Sequence, residues 1–151
     1  MTNKTGTTSD FVTFEIGGQL FGVPIDGVQD VFKPQRLTPV PLSHADVAGV
    51  LNLRGRIVTM IECRQHLGME RRSPDAVIMA VGVERGGESY GLLIDSIGDV
   101  LSLEPTAFEA NPVNLDPRWR AVSKGVFRLE NRLLIVLNIA TILDFGKREA
   151  A

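Results

Sequence analysis

One stretch of the chain, residues 47–62, constrains the fold more than any other. It has the pattern of a hairpin, with a strand over 47–53, a turn over Arg54 and Gly55, and a second strand over 56–62. The turn glycine can take a positive φ without the penalty that a Cβ brings. Apolar residues fall on both faces of the second strand, which predicts its burial on both sides (Ile57, Val58, Met60 and Ile61).

Polar side chains crowd the turn of this hairpin. Asn52, Arg54 and Arg56 lie within five residues of one another in a chain segment that is otherwise apolar. A buried guanidinium without a carboxylate beside it is costly. We therefore expect an acidic partner for the hairpin tip elsewhere in the chain.

Short alternating strands recur along the rest of the chain, bounded by glycine and proline. The pattern predicts about nine strands, little helix and many turns, ending in a short helix that Asn138 can cap. So many short strands would leave several sheet edges exposed, and a mostly β fold avoids this by closing into barrels. The two halves have a similar hairpin organisation, but we expect no sequence repeat between them.

Composition places the chain among ordinary globular proteins and excludes several classes of function. It has 151 residues, 44% of them hydrophobic, and a net charge of −2, which argues against a nucleic-acid surface and against polybasic membrane attachment. One cysteine and no long apolar run favour a reducing, cytoplasmic setting without membrane insertion. The polar residues 1–9 are expected to form a disordered tail.

Motifs for catalysis are absent from the sequence. It contains no phosphate-binding loop, no Gly-x-Ser-x-Gly elbow and no His-Glu-x-x-His. Cys63 and His66 could supply two metal ligands or a nucleophilic pair, but a zinc site needs three or four ligands, so a packed cysteine beside a surface histidine is the simpler interpretation. Asp95 and Asp99 could form an acid–base pair or lie at solvated strand ends. We expect no cofactor, metal or catalytic residue.

Trp119 lies between two arginines, Arg118 and Arg120. It could be an exposed interaction tip or could close the end of a barrel. We favour the barrel-end interpretation.

The central stretch also resembles the signature of the CheW family of chemotaxis coupling proteins. The resemblance is carried by residues 49–58, which read Gly-Val-Leu-Asn-Leu-Arg-Gly-Arg-Ile-Val, and continues to Gly68. Further matching segments follow in the family's order (11–16, 21–31, 91–101 and 125–143). Thr59 stands where proline is usual, and Glu62-Cys63 stands where Asp-Leu is usual.

The resemblance implies a fold and a function. It implies two small SH3-like β-barrels around a shared apolar core, as one CheW-like domain over 10–146 with a tail over 147–151. Family members are adaptors without enzymatic activity, which couple the cytoplasmic tips of chemoreceptors to the regulatory domain of the histidine kinase CheA. They act in a two-component system, are monomers in isolation and join receptor arrays at the inner face of the membrane.

The resemblance also implies partner-binding residues. Val28, Gly49, Val77 and Ile97 map onto a receptor groove, with Gly125 nearby. The kinase surface is implied at the end of a barrel and cannot be placed by residue. Asp30 is expected to be the acidic partner of Arg54, in a partly buried ion pair that locks the hairpin to the first barrel; a solvated Arg54 is the alternative. Asn52 is counted with these two among the partner-binding residues. Gly49 allows either close approach of a partner helix or packing against a bulky neighbour.

Two rival functions remain open at this stage. A coupler of a receptor–kinase pathway other than swimming, such as surface motility, would share the same sequence features. A small β-barrel enzyme or ligand-binding module would instead need an apolar pocket with converging polar groups near Cys63, His66, Asp95 and Asp99.

Overall fold

The computed structural model describes residues 9–34, 47–64, 67–70 and 78–143. These contain eleven strands rather than nine, which confirms the mostly β prediction. In chain order they are β1 (Ser9–Ile16), β2 (Gln19–Pro24), β3 (Asp30–Phe32), β4 (Val47–Leu53), β5 (Arg56–Ile61), β6 (Met79–Arg85), β7 (Glu88–Ile94), β8 (Ser96–Leu103), β9 (Phe108–Glu109), β10 (Ser123–Arg128) and β11 (Leu133–Leu137). A short helix, α1, covers Pro117–Arg120, and residues 139–143 are also helical.

The strands form two curved sheets that make the two predicted barrels. The first has the order β8-β1-β2-β11-β10-β9, and the second has the order β3-β6-β7-β5-β4. Each sheet contains two antiparallel hairpins, joined where the second strand of one runs parallel to the second strand of the other. The outer strands β8 and β9 of the first sheet are joined by a single 3₁₀ turn, Pro105–Ala107, so its two edges come together.

The two sheets repeat one arrangement, and this repeat can be read in the sequence after all. Residues 14–32 align with residues 83–101, shifted by 69 positions, and eight of these nineteen positions are identical. Residues 47–67 align with 123–143, shifted by 76 positions, and share Gly49/Gly125 among their identities. The expectation of no sequence repeat was therefore wrong.

The repeats exchange strands with each other. The first repeat supplies β1 and β2 to the first barrel but β3, β4 and β5 to the second. The second repeat supplies β6 and β7 to the second barrel but β8, β10 and β11 to the first. The chain crosses between barrels at two equivalent points, through residues 25–29 and through Asp95, so each barrel needs both halves of the sequence.

The largest core lies between the barrels and draws on both. Its buried members come in equivalent pairs from the two repeats, such as Phe14 with Val83 and Ile61 with Leu137. Each barrel also has a small core of its own, around Phe127 in the first and Met60 in the second. The shared apolar core that the family resemblance implied is thus present.

The central hairpin forms as predicted, with β4 and β5 joined by Arg54 and Gly55. Gly55 has a φ of 86°, and Arg54 is also left-handed, with a φ of 52°. Val58, Met60 and Ile61 are buried, but the prediction was wrong for Ile57, which is 62% exposed next to the turn. Near the N-terminus, β1 begins at Ser9, which was predicted to belong to the disordered tail.

Candidate partner-binding surfaces

Asp30 and Arg54 meet at the mouth of the second barrel, so the expected ion pair is present. The expectation that it locks the hairpin to the first barrel was wrong, because β3 and the hairpin belong to the same sheet. An Nη2 donor of Arg54 is bonded to Oδ2 of Asp30, and Oδ1 of Asp30 accepts from the backbone N–H of Val31 at 2.9 Å. The Arg54 side chain is 68% exposed and that of Asp30 is 25% exposed. The pair joins the turn after β4 to β3 across the barrel mouth, but most of the guanidinium remains in solvent.

Asn52 shapes the same turn. Its Oδ1 accepts a hydrogen bond of 2.8 Å from the backbone N–H of Gly55, as asparagine side chains commonly do in tight turns. The side chain is exposed beside Arg54. The turn therefore presents an amide and a guanidinium together to solvent.

Gly49 and Gly125 occupy equivalent positions in the two barrels. Each follows a β-bulge, in β4 and β10 respectively, and each is buried with a φ of 151°. A Cβ on Gly125 would lie 2.4 Å from Cζ of Phe108 and 2.6 Å from the carbonyl oxygen of Glu109. At Gly125, a close neighbour in the chain itself requires glycine.

Val28 and Ile97 are also equivalent, one at each crossover between the barrels. Val28 is half-buried and packs against the shared core, whereas Ile97 is 40% exposed on β8. The predicted residues thus form two sets, one on β3, the β4 hairpin and the first crossover and the other on β8 and β10. We call them the Asp30 surface (Val28, Asp30, Gly49, Asn52 and Arg54) and the Ile97 surface (Ile97 and Gly125). Val77 lies outside the described residues.

A clamp that the sequence did not reveal fixes the second crossover. Arg64 donates from Nη2 to Oδ2 of Asp95 at 2.7 Å and from Nη1 to the carbonyl oxygen of Glu70 at 2.9 Å. The same Asp95 oxygen accepts the backbone N–H of Gly17 at 2.8 Å, and the Asp95 N–H donates to the Glu15 carbonyl. The clamp ties the crossover to the turn between β1 and β2.

Cys63 and Trp119, which the sequence offered for metal binding and for an exposed contact, are both packed against other side chains in the fold. Cys63 is buried in the shared core, and His66 lies outside the described residues. Trp119 packs edge-on against Phe21 at the shared core, and its indole N–H donates to the Leu67 carbonyl at 2.9 Å, so it is not the exposed interaction tip that the sequence left open. Within the described part of the chain no three His, Cys, Asp or Glu side chains cluster as metal ligands.

Several exposed apolar side chains were not singled out from the sequence. Val113 is 95% exposed on the loop before α1, and Arg120 holds this loop through a 2.7 Å bond from Nη2 to the Val113 carbonyl. Val100 and Phe108 are about half exposed on β8 and β9. In the ranges that the structure describes, no helix is long and apolar enough to cross a membrane.

The comparison with protein families decides the identity of this architecture. The family model described as a CheW-like domain matches residues 10–146. The chain belongs to the CheW-like family. The two barrels, the shared core and the Arg54 hairpin described above are therefore features of a CheW-like fold.

Two proteins named CheW and one named PilI resemble this CheW-like chain over most of its length. The chemotaxis protein CheW of Rhizobium meliloti is 27% identical over 142 residues, which cover 94% of this chain and 92% of the relative. The chemotaxis protein CheW of Thermotoga maritima is 29% identical over 137 residues, with 89% and 87% coverage. The Protein PilI of Pseudomonas aeruginosa is 26% identical over 124 residues, with 82% and 70% coverage.

A solved structure shares the fold. The crystal structure of the scaffolding protein TtCheW from Thermoanaerobacter tengcongensis superimposes with a TM-score of 0.76 at 24% identity. The match covers 86% of this chain and 88% of TtCheW. The CheW fold with its two barrels is thus established for this chain.

Proposed function

We propose that this chain is a non-catalytic coupling adaptor of bacterial chemotaxis, which connects the cytoplasmic tips of chemoreceptors to the regulatory domain of the histidine kinase CheA. The observation that carries the proposal is the CheW-like match across residues 10–146, shared with relatives named as chemotaxis proteins. A coupling adaptor requires contact surfaces rather than reacting groups. The duplicated fold supports such a role because it offers related surfaces on two barrels.

The receptor, in this proposal, contacts the residues near the crossovers and bulges. Val28, Gly49, Ile97 and Gly125 lie there, with Val77 assigned to the same contact from the sequence. The exposed pair of Arg54 and Asp30, with Asn52 beside it, offers polar groups to a partner at the mouth of the second barrel. The kinase contacts the end of a barrel.

The proposal places the chain in the cytoplasm, as a monomer in isolation and as part of receptor arrays when its partners are present. Its folded part consists of one CheW-like domain over residues 10–146. A coupler of a different receptor–kinase pathway would use the same surfaces with other partners, so the identity of the kinase that responds distinguishes the two functions.

A kinase-coupling assay tests the proposal. Purified chain, CheA and receptor-containing membranes from the same organism are mixed, and CheA autophosphorylation is followed with each component omitted in turn. We expect kinase activity to rise only with all three components and to fall when attractant is added. If activity does not depend on the chain and the chain binds neither partner, the chemotaxis function is wrong.

The receptor surface can be tested in the same system. Ile97→Asp places a charge on the Ile97 surface, while Val113→Asp makes the same kind of change at an exposed side chain outside both surfaces. Burying an uncompensated carboxylate in an interface is costly. We expect Ile97→Asp to reduce co-sedimentation with receptor membranes and Val113→Asp to leave it unchanged. Equal binding by both variants would remove Ile97 from the receptor contact.

A further inference from the structure

A short segment after β5, residues 67–70, joins α1 to the clamp at the second crossover. The Leu67 carbonyl accepts the indole N–H of Trp119 at 2.9 Å. At the other end of the segment, the Glu70 carbonyl accepts from Nη1 of Arg64 at 2.9 Å. We call residues 67–70 the 67–70 segment.

The side chain of Met69 holds the middle of this segment against the turn between β1 and β2. A Cβ on Gly17 would lie 2.6 Å from Sδ of Met69 and 3.1 Å from its Cε, so the thioether packs on the Gly17 backbone. The N–H of the same glycine donates to Oδ2 of Asp95 at 2.8 Å. The Met69 backbone N–H donates to the Arg64 carbonyl at 2.8 Å. The thioether is therefore packed on the turn that also holds the clamp.

Solvent can reach this thioether more readily than a methionine of the core. Met69 is half-buried at the edge of the shared core, and its neighbours Gly17 and Glu70 are exposed. Met60 is 0% exposed inside the second barrel. Met79 is half-buried at the start of β6 and makes no such contact with the β1–β2 turn, so it provides a matched comparison.

We propose that Met69 is a site of oxidation by hydrogen peroxide, and that its sulfoxide releases the 67–70 segment from the β1–β2 turn. The sulfur lone pair attacks one peroxide oxygen and the O–O bond breaks. The leaving oxygen takes up the proton of the transferred one, so the products are the sulfoxide and one water molecule. Sulfur is oxidised and peroxide is reduced, as in other methionine oxidations.

The product does not fit the contact that the thioether makes. A sulfoxide is polar, and its oxygen needs a hydrogen-bond donor when it is removed from water. The Gly17 N–H already donates to Asp95. The new oxygen must therefore leave the turn for solvent or compete with Asp95 for that donor. Either change loosens the connection between the 67–70 segment and the second crossover.

Peptide mapping tests whether Met69 is oxidised. The purified chain is treated with hydrogen peroxide, digested with trypsin and analysed by mass spectrometry. Trypsin places the three methionines in separate peptides, which span residues 57–64, 65–71 and 73–85. We expect the peptide 65–71 to gain one oxygen atom on Met69 well before Met60 is modified. Oxidation of Met69 at the same rate as Met60 would contradict the proposal.

Tryptophan fluorescence tests whether the segment is released. Trp119 is the one tryptophan of the sequence, and its indole is bonded to the 67–70 segment, so its emission reports on this contact. We expect oxidation to move the emission to longer wavelength and to lower the melting temperature by about 2–4 °C. Met69→Leu should be insensitive to peroxide, because leucine fills the contact and has no sulfur, while Met79→Leu should respond like the wild type.

Two results would overturn the proposal. In the first, Met69 is fully oxidised while the emission and the melting temperature stay unchanged. In the second, oxidised Met69→Leu loses as much stability as the oxidised wild type, which would assign the damage to another residue. Methionine sulfoxide reductase gives a measurement on the wild-type chain, in case Met69→Leu folds poorly. Reduction of the sulfoxide should restore both signals, and reduction without recovery would also contradict the proposal. None of these measurements requires a receptor or a kinase.

Discussion

The Arg54 guanidinium is bonded to the Asp30 carboxylate across the mouth of the second barrel, with most of the arginine side chain in solvent. This exposure decides what the pair contributes. A buried pair that loses one partner can cost about 3–5 kcal/mol, but an exposed pair contributes about 0–1 kcal/mol. The pair fixes the position of the hairpin tip more than it stabilises the fold.

Removal of this pair should therefore have a small effect on stability. We expect Arg54→Ala to lower the free energy of unfolding by about 1 kcal/mol or less, measured by urea denaturation. Arg54→Gly should cost less than Arg54→Ala, because glycine adopts the φ of 52° without strain. A loss as large as that of a buried pair would contradict the exposed geometry.

The clamp between Arg64 and Asp95 should matter more. Arg64 is mostly buried, so its removal takes away a buried ion pair with Asp95 at the crossover. We expect Arg64→Ala to cost about 2–3 kcal/mol, somewhat less than a fully buried pair. Asp99→Ala is the control, since the exposed Asp99 carboxylate bonds to no described residue, and it should stay within about 0.5 kcal/mol of the wild type. Similar losses for the two variants would argue against the clamp.

Gly125 should resist substitution for a structural reason. A Cβ there would overlap Phe108 and the Glu109 backbone, at a φ that other residues rarely adopt. We expect Gly125→Ala to lose about 1–3 kcal/mol through strain and displacement of β9. Gly27→Ala serves as a control, because its nearest neighbour, Val23 Cγ1, would lie at an ordinary 3.6 Å. A Gly125→Ala protein that is fully stable but fails to bind receptor would instead indicate a direct contact.

Asp116 gives the start of α1 a dependence on pH. The hydrogen bond from the Arg118 side chain, followed by that from the Arg118 backbone, lowers the pKa of this carboxyl. Its stabilising effect is therefore present above the ordinary pKa of an aspartate and is lost as the pH falls through the lowered value. We expect Asp116→Asn to flatten the acid side of the melting-temperature profile. An unchanged profile between pH 6 and pH 2 would show that Asp116 does not contribute.

The central hairpin could be predicted because its signals are local. Gly55 and the polar residues around it mark the turn, and the apolar residues after it mark a strand. The exposure of Ile57 could not be predicted, because alternation does not show where a strand emerges from its barrel. Asn138 was expected to cap the last helix, and its Oδ1 accepts the Thr141 N–H at 3.2 Å.

The clamp and the repeat escaped prediction for a different reason. Arg64 and Asp95 are 31 positions apart, one after β5 and the other between β7 and β8, and they belong to different repeats, so no periodic pattern connects them. The repeat itself is divided into two segments with shifts of 69 and 76 positions, because the second half has seven more residues between its hairpins. A single fixed shift therefore aligns only one of the two segments, and the strand order of the two sheets shows that both segments belong to one repeat.

The exchange of strands between the barrels has a mechanical consequence. A partner that pulls on the second barrel through β3 or β4 also pulls, through the short connection at residues 25–29, on β2 in the centre of the first. A force on β8 reaches β7 through the single residue Asp95 in the same way. Neither barrel can be displaced without transmitting tension to the other, so the two barrels respond to force as one mechanical unit.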